Sequence, residues 1–225
     1  MGGFELSGLK GKDKIRAKTT SDMALEVIKK SVSCCDTKLM TEWLGSSLLF
    51  VDERIYTKRI YSFMKKVTIK FYRRNGPGMA LCNYRKYLFG SDALKTQTKF
   101  GDDYEAIWKS KCLMGLENAF FDKSWSEGEC VVSILHELSH LALCTIDARG
   151  NFKSGSRIIT DDSYGADFCT QLQSSEKFKN AENWGYYLAS YRKHLETKWS
   201  NDQSKYLTKE ECAKVRGTRT VQFIM

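Results

Sequence analysis

The sequence predicts a helix-rich α+β domain, and three observations carry that prediction. Runs with helical spacing of apolar residues lie in the stretch 21–72 and again at 128–144. Shorter aromatic-rich apolar runs at 79–89 and 111–121 read as strands joined by loops. The 225 residues are 42% hydrophobic and 12% aromatic, which is enough apolar matter for one good-sized core. The same figures exclude whole-chain disorder. No run of about 18 uncharged apolar residues occurs, so no membrane-spanning helix is expected.

Taken in order, residues 1–20 are polar, basic and glycine-containing, and are expected to be a flexible lead-in. Residues 21–225 are expected to form a single domain, with a helical N-terminal part over 21–75. Ser21 or Asp22 can cap a helix bearing Met23, Leu25, Val27 and Ile28, and a short second helix should run from Asp36 to Leu44. Residues 49–72 form the longest amphipathic run, with Val51, Ile55, Ile60, Phe63, Met64 and Val67 on one side and Lys and Arg on the other. The formal net charge is +9. A basic helical face is ordinarily just solvated, so no nucleic-acid partner is expected. Arg74-Asn75-Gly76-Pro77-Gly78 is the strongest turn signal in the chain. No internal repeat and no shift in composition marks a second domain.

The chain has eight cysteines and three histidines. The cysteines are scattered with no C-x-x-C pair, so neither a zinc ribbon nor a dithiol redox motif is available. They read equally as a disulfide set or as small buried hydrophobes. The basic start is not followed by an apolar run, so no conventional signal peptide is visible.

The chemistry concentrates in His136-Glu137-Leu138-Ser139-His140. On a helix, positions i and i+4 share a face one turn apart, so both imidazoles can reach one metal ion. Glu137 can then serve as general base to a metal-activated water. With this composition the H-E-x-x-H pattern arises by chance in roughly 0.2–0.3% of such chains, so it is not an accident of counts. Its surround (Val131, Val132, Leu135, Leu138, Leu141, Ala142) is that of a helix buried through a domain. A catalytic zinc site takes three protein ligands and a water, so a third ligand is needed. His194 sits in a polar stretch expected to be a surface helix, and the metzincin pattern of a third histidine six residues on is absent, because position 146 is Ile. Asp161, three residues before Tyr164, can supply an anionic ligand, and Tyr164 can then donate a hydrogen bond to a developing oxyanion. Asp161 and Asp162 read equally as helix N-caps.

With these residues the chain resembles the aspzincins, the deuterolysin and peptidyl-Lys metalloendopeptidase group of zinc proteases. That family pairs H-E-x-x-H with a downstream G-T-x-D-x-x-Y-G. Asp161, Tyr164 and Gly165 match it here, while Ile158 and Ile159 stand in place of Gly-Thr. Asn180-Ala181-Glu182-Asn183-Trp184-Gly185-Tyr186-Tyr187 is similar to the family's N-A-D-x-x-x-[YF]-F segment, and residues 113–121 resemble the strand and loop before the catalytic helix. The resemblance spans residues 80–200, the expected catalytic part.

It implies a zincin-like fold with one catalytic Zn2+ held by His136, His140 and Asp161; whether Asp162 assists or replaces Asp161 stays open. It implies Glu137 as general base and Tyr164 as stabiliser of the tetrahedral intermediate. Glu182, Gly115 and Leu116 become substrate-binding, and Glu182 keeps one of two acids that hold a lysine at P1′, with Gly185 where the second would be. Two β-branched residues at 158–159 favour an extended approach to Asp161, with Thr160 free to cap a helix.

The implied activity is a monomeric zinc metalloendopeptidase acting on protein or peptide, secreted or delivered outside its cell as an effector or toxin. An inhibitor or immunity protein is a further partner left open, and the cysteines lean toward an oxidising destination. Two other readings stand beside it: a zinc hydrolase of peptidoglycan peptides, and a basic non-enzymatic module for nucleic acid or anionic surfaces.

Overall fold

The first twenty residues belong to the fold, against the expectation of a flexible lead-in. The computed structural model describes residues 2–34, 36–45, 54–76, 78–82, 112–123, 125–154, 157–162 and 165–194, with backbone only for 149–154, 157–162 and 194. Strand β1 (Gly3–Gly8) lies parallel to β2 (Thr68–Arg73), and helix α1 runs over 23 residues (Gly11–Ser33). The few apolar residues of this stretch explain its order. The Phe4 ring meets Phe71 with centroids 4.9 Å apart, and Leu9 and Ala17 are buried. The lysines that make the segment look like a tail, Lys12, Lys14 and Lys18, lie on the exposed side of α1, opposite buried Met23, Ala24, Val27 and Ile28. Ser21, expected as a cap, is buried within the helix and donates to the Lys18 carbonyl at 2.9 Å.

Helix α2 (Thr37–Leu44) begins where expected, with Asp36 accepting from the Lys38 and Leu39 N–H groups at 3.1 Å. Helix α3 (Arg54–Lys66) takes most of the long amphipathic run and buries Ile60, Phe63 and Met64. Ile55 is 59% exposed, however, and Val51 lies outside the described residues. The end of that run, from Thr68, is strand β2, where alternation turns Ile69 and Phe71 inward.

Strands β3 (Ala80–Cys82) and β4 (Leu113–Leu116) complete a four-stranded sheet of order β1-β2-β4-β3. The first three strands are parallel, and β3 is an antiparallel edge on β4. The turn before β3 wraps the carboxylate of Glu117, which accepts from Gly78 N–H at 2.8 Å. A Cβ at Gly76 or Gly78 would press on that carboxylate, so a larger residue at either position requires the Glu117 side chain to shift.

Helix α4 (Asn118–Phe121) leads to α5 (Glu127–Leu143), which packs against α1, α3 and β3, and every residue of α5 from Gly128 to Leu143 is buried. A hairpin of β5 (Arg149–Ser154) and β6 (Arg157–Asp162) follows. Then come α6 (Ala166–Gln171), α7 (Ser174–Lys177), α8 (Ala181–Ser190), which packs closely on α5, and a 3-10 turn at Tyr191–His194. The chain does reach Asp161 extended, as two β-branched residues favour. Thr160 caps no helix, because α6 begins at Ala166 with Gly165 (φ +88°) before it.

The architecture is α+β: helix-rich, with a small mixed sheet. Among the described residues no helix is long and apolar enough to cross a membrane. The six described cysteines form no disulfide with one another, and Cys35 and Cys212 lie outside the described residues. Burial pushes the Cys112 thiol up to about 12 and the Cys130 thiol up to about 11, the latter against the opposing pull of Arg16. These two act as small buried hydrophobes.

Candidate metal centre

Helix α5 carries the H-E-x-x-H residues through the core. Ser126 starts it, accepting from Glu129 N–H at 3.2 Å. Cys144 stops it in the left-handed conformation (φ 58°), with its N–H bonded to the His140 carbonyl. That reversal folds the next residues back under the helix. Thr145 and Asp147 thereby arrive beside the two histidines, which the linear sequence had not indicated.

Three ligand-capable atoms converge. His136 Nε2 and His140 Nε2 are 3.0 Å apart, and Asp147 Oδ1 lies 3.1 Å from the first and 3.2 Å from the second. A tetrahedral ion with bonds of about 2.0–2.1 Å spaces its ligands about 3.3 Å apart. The observed triangle is within a few tenths of an ångström of that spacing.

The ring protons show what the triangle is for. His140 Nδ1 is 2.7 Å from the Thr145 carbonyl, which can only accept, so His140 carries its proton on Nδ1. His136 Nδ1 lies 2.7 Å from Glu182 Oε2 and donates there. Both Nε2 lone pairs therefore face one another and a carboxylate oxygen, an arrangement only positive charge stabilises. Burial opposes the charged ring of His136, but hydrogen bonds to Asp147 and Glu182 outweigh it and hold the imidazole well above its usual value. Burial likewise opposes the Asp147 carboxylate, and the two histidines more than offset it, holding Asp147 well below the usual carboxylate range.

Glu137 stands next to this triangle. Its Oε2 accepts from Cys82 N–H at 2.8 Å, and its Oε1 is 3.8 Å from His136 Nε2. The ligand-capable atoms of His136, Glu137 and His140 all lie within 4.8 Å of one another and are buried. One carboxylate oxygen is thus anchored by edge strand β3, while the other faces the cation's place.

A second layer clamps the Asp147 turn. Ile146 N–H donates to the Lys179 carbonyl at 2.9 Å, and Ala181 N–H donates to the Ile146 carbonyl at 2.9 Å. Ala148 N–H donates to Asn180 Oδ1 at 3.0 Å. Asn180 in turn donates to Asn183 Oδ1 at 2.6 Å, and Asn183 donates to the Trp43 carbonyl at 2.6 Å. Ser139 donates to the His136 carbonyl at 2.8 Å, and its hydroxyl bonds that of Thr145 at 2.7 Å.

The structure brings together His136, Glu137 and His140, and adds Asp147 and Cys82 N–H, which sequence reasoning missed. A carboxylate seven residues beyond the second histidine, just past the helix end, was the available signal for Asp147. The side chains of Asp161 and Asp162, and all of Tyr164, lie outside the described residues; the Asp161 backbone pairs with Gly150 in the hairpin.

The three residues expected to bind substrate are placed otherwise. Glu182 is 3% exposed, with Oε2 on His136 and Oε1 accepting from Gly165 N–H at 3.1 Å. Gly115 and Leu116 are buried within β4, paired on one side to β2 and on the other to β3. The strand edge nearest Glu137 belongs to β3. His194 ends the final 3-10 turn, with its side chain outside the described residues.

No protein-family model matches the chain, and no curated protein matches it. The centre rests on its own geometry: buried His136, Glu137 and His140, with partly buried Asp147 beside them, form a donor set that could hold a metal ion.

Proposed function

We propose that this protein is a zinc-dependent metalloendopeptidase, the activity its resemblance to the aspzincins implies, with His136, His140 and Asp147 as the zinc ligands. The observation that carries the reading is the triangle of two Nε2 lone pairs and one carboxylate oxygen, with Glu137 beside it. Two imidazoles and a carboxylate leave a tetrahedral ion one open position, the donor set of hydrolytic rather than structural zinc. When bound there, zinc supplies a Lewis acid and lowers the pKa of a water it holds.

The chain's own residues supply the rest. Cys82 N–H holds Glu137 Oε2, which leaves Oε1 directed at the reacting side, where it can take a proton from the attacking water and return it to the leaving amine. Strand β3 ends the sheet among the described strands, and an extended peptide can add along it beside Glu137. Preference for lysine at P1′ loses its support, because both oxygens of Glu182 are engaged inside the protein.

The test combines metal analysis with mass spectrometry of peptides released from a proteome digest. The wild type should hold about one zinc per chain and release new peptides, and a chelator should stop the release. Glu137→Gln should keep the zinc and lose cleavage. Wild-type protein without stoichiometric zinc, or Glu137→Gln cleaving as fast as wild type, overturns the reading.

A further inference from the structure

We propose that Glu182 is a positioning residue that sets the tautomer of His136 and ties the metal centre to the turn at Gly165. The proposal rests on the zinc reading above and gives Glu182 a role other than holding substrate. Its carboxylate is the junction of two donors from distant parts of the chain. Oε2 accepts the Nδ1 proton of His136 at 2.7 Å, and Oε1 accepts from Gly165 N–H at 3.1 Å. The first bond keeps the Nε2 lone pair of His136 turned to the cation. The second fixes a residue at φ +88° that immediately precedes α6 and closes the segment bearing Asp161 and Tyr164.

Helix packing puts Glu182 within reach of both donors. Gly185 lies one turn further along α8, and a Cβ there would come 2.9 Å from the Val132 carbonyl oxygen and 3.5 Å from His136 Cβ. The absent side chain lets α8 press onto α5 beside the ligand. This gives a packing reason why position 185 holds no acid.

Only a carboxylate accepts at both ends. A glutamine there has one accepting and one donating end. With its NH2 toward His136, the ring must carry its proton on Nε2, where that proton blocks the metal. With its NH2 toward Gly165, two donors oppose each other across about 3 Å. Either way one of the two bonds is lost.

The experiment is zinc affinity by competition with a chromophoric chelator, for wild type and Glu182→Gln, alongside 15N NMR of the histidine rings in the zinc-loaded wild type. The zinc-loaded wild type should show His136 protonated on Nδ1. Glu182→Gln should bind zinc roughly 10–100-fold more weakly, while its metal-free thermal midpoint stays within a few degrees of wild type. Equal zinc affinity in Glu182→Gln, or a His136 proton on Nε2 in the zinc-loaded wild type, overturns the proposal. The NMR measurement decides even if the variant does not fold. Wild type that binds no zinc removes the zinc reading and this inference with it, whereas wild type that binds zinc and a variant that binds it equally removes only this inference.

Discussion

Two regions supply the candidate metal centre, and they reach it by different means. His136, Glu137 and His140 come from α5, a helix buried along nearly its whole length, where spacing alone puts i and i+4 on one face. Asp147 comes from a short irregular segment after the helix, held by the Asn180 clamp and by its bonding to the start of α8. The helix brings its own backbone bonds; the turn borrows nearly all of its own from residues more than thirty positions away. A ligand on such a turn is sensitive to distant substitutions in a way that a ligand on the helix is not.

The largest expected effects come from breaking each side at its chemical residue. Asp147→Ala should reduce zinc affinity by more than about 100-fold, beyond what loss of an outer hydrogen-bond partner causes. Glu137→Gln should leave affinity in place and lower cleavage by about 10²–10⁴-fold. Asp161→Ala, measured in the same chelator competition, sharpens the comparison: affinity near wild type makes Asp147 the third ligand, whereas a loss like that of Asp147→Ala returns Asp161 to the centre.

The clamp comes next. Asn180→Ala leaves the buried Ala148 N–H without its acceptor, at a cost of about 1–3 kcal/mol. It should lower the thermal midpoint by a few degrees and zinc affinity by roughly 10–100-fold. A variant with full affinity would show that the turn holds its shape without α8.

Proton competition separates the two regions by pH. Metal-free His136 holds its proton above the usual imidazole value, so zinc must displace it. Apparent affinity should climb by up to about tenfold per pH unit as pH rises toward the raised value and flatten above it. For the metal-free fold the signs oppose. Stability owed to His136 is fully present below about 6.5 and is lost as pH rises through the raised value. Stability owed to Asp147 is present above about 3.9 and is lost as pH falls through its depressed value. Chelator competition at several pH values checks the first statement, and a flat profile would mean that His136 holds no such proton.

The smallest effect belongs to Ser139→Ala. It removes the hydroxyl bond to Thr145, about 0.5–1.5 kcal/mol seen in thermal melts, and should barely change zinc affinity, because the helix still places both histidines. A large loss of affinity would show that α5 depends on the turn as much as the turn depends on α8.

Legibility in the sequence followed the same division. Helix α5, its burial, its two histidines and its glutamate were readable because helical periodicity is local. So were α2 with its Asp36 cap, the turn at 74–78 and the extended approach to Asp161 from Ile158 and Ile159. The first twenty residues were misread because composition weighs lysines equally wherever they point, while Phe4 meets Phe71 in β2, 67 residues away, and Leu9 and Ala17 are buried in the core. Gly115 and Leu116 were expected to bind substrate, and nothing in β4 itself says that β3, which precedes it in the chain, covers its edge. Glu182 looked like a ligand for substrate because its engagement with His136 and Gly165 crosses 46 and 17 positions of chain.

By itself the sequence determined that one helix would present His136, Glu137 and His140 together inside an α+β core, since 3.6 residues per turn and an apolar surround need no other part of the chain. The tertiary structure decided that Asp147 lies against both histidines, that Cys82 N–H bonds Glu137, and that Glu182 bonds His136. Those choices depend on where a left-handed residue reverses the chain and how closely α8 can approach α5. Such contacts are set by packing between distant segments, and no local pattern encodes them.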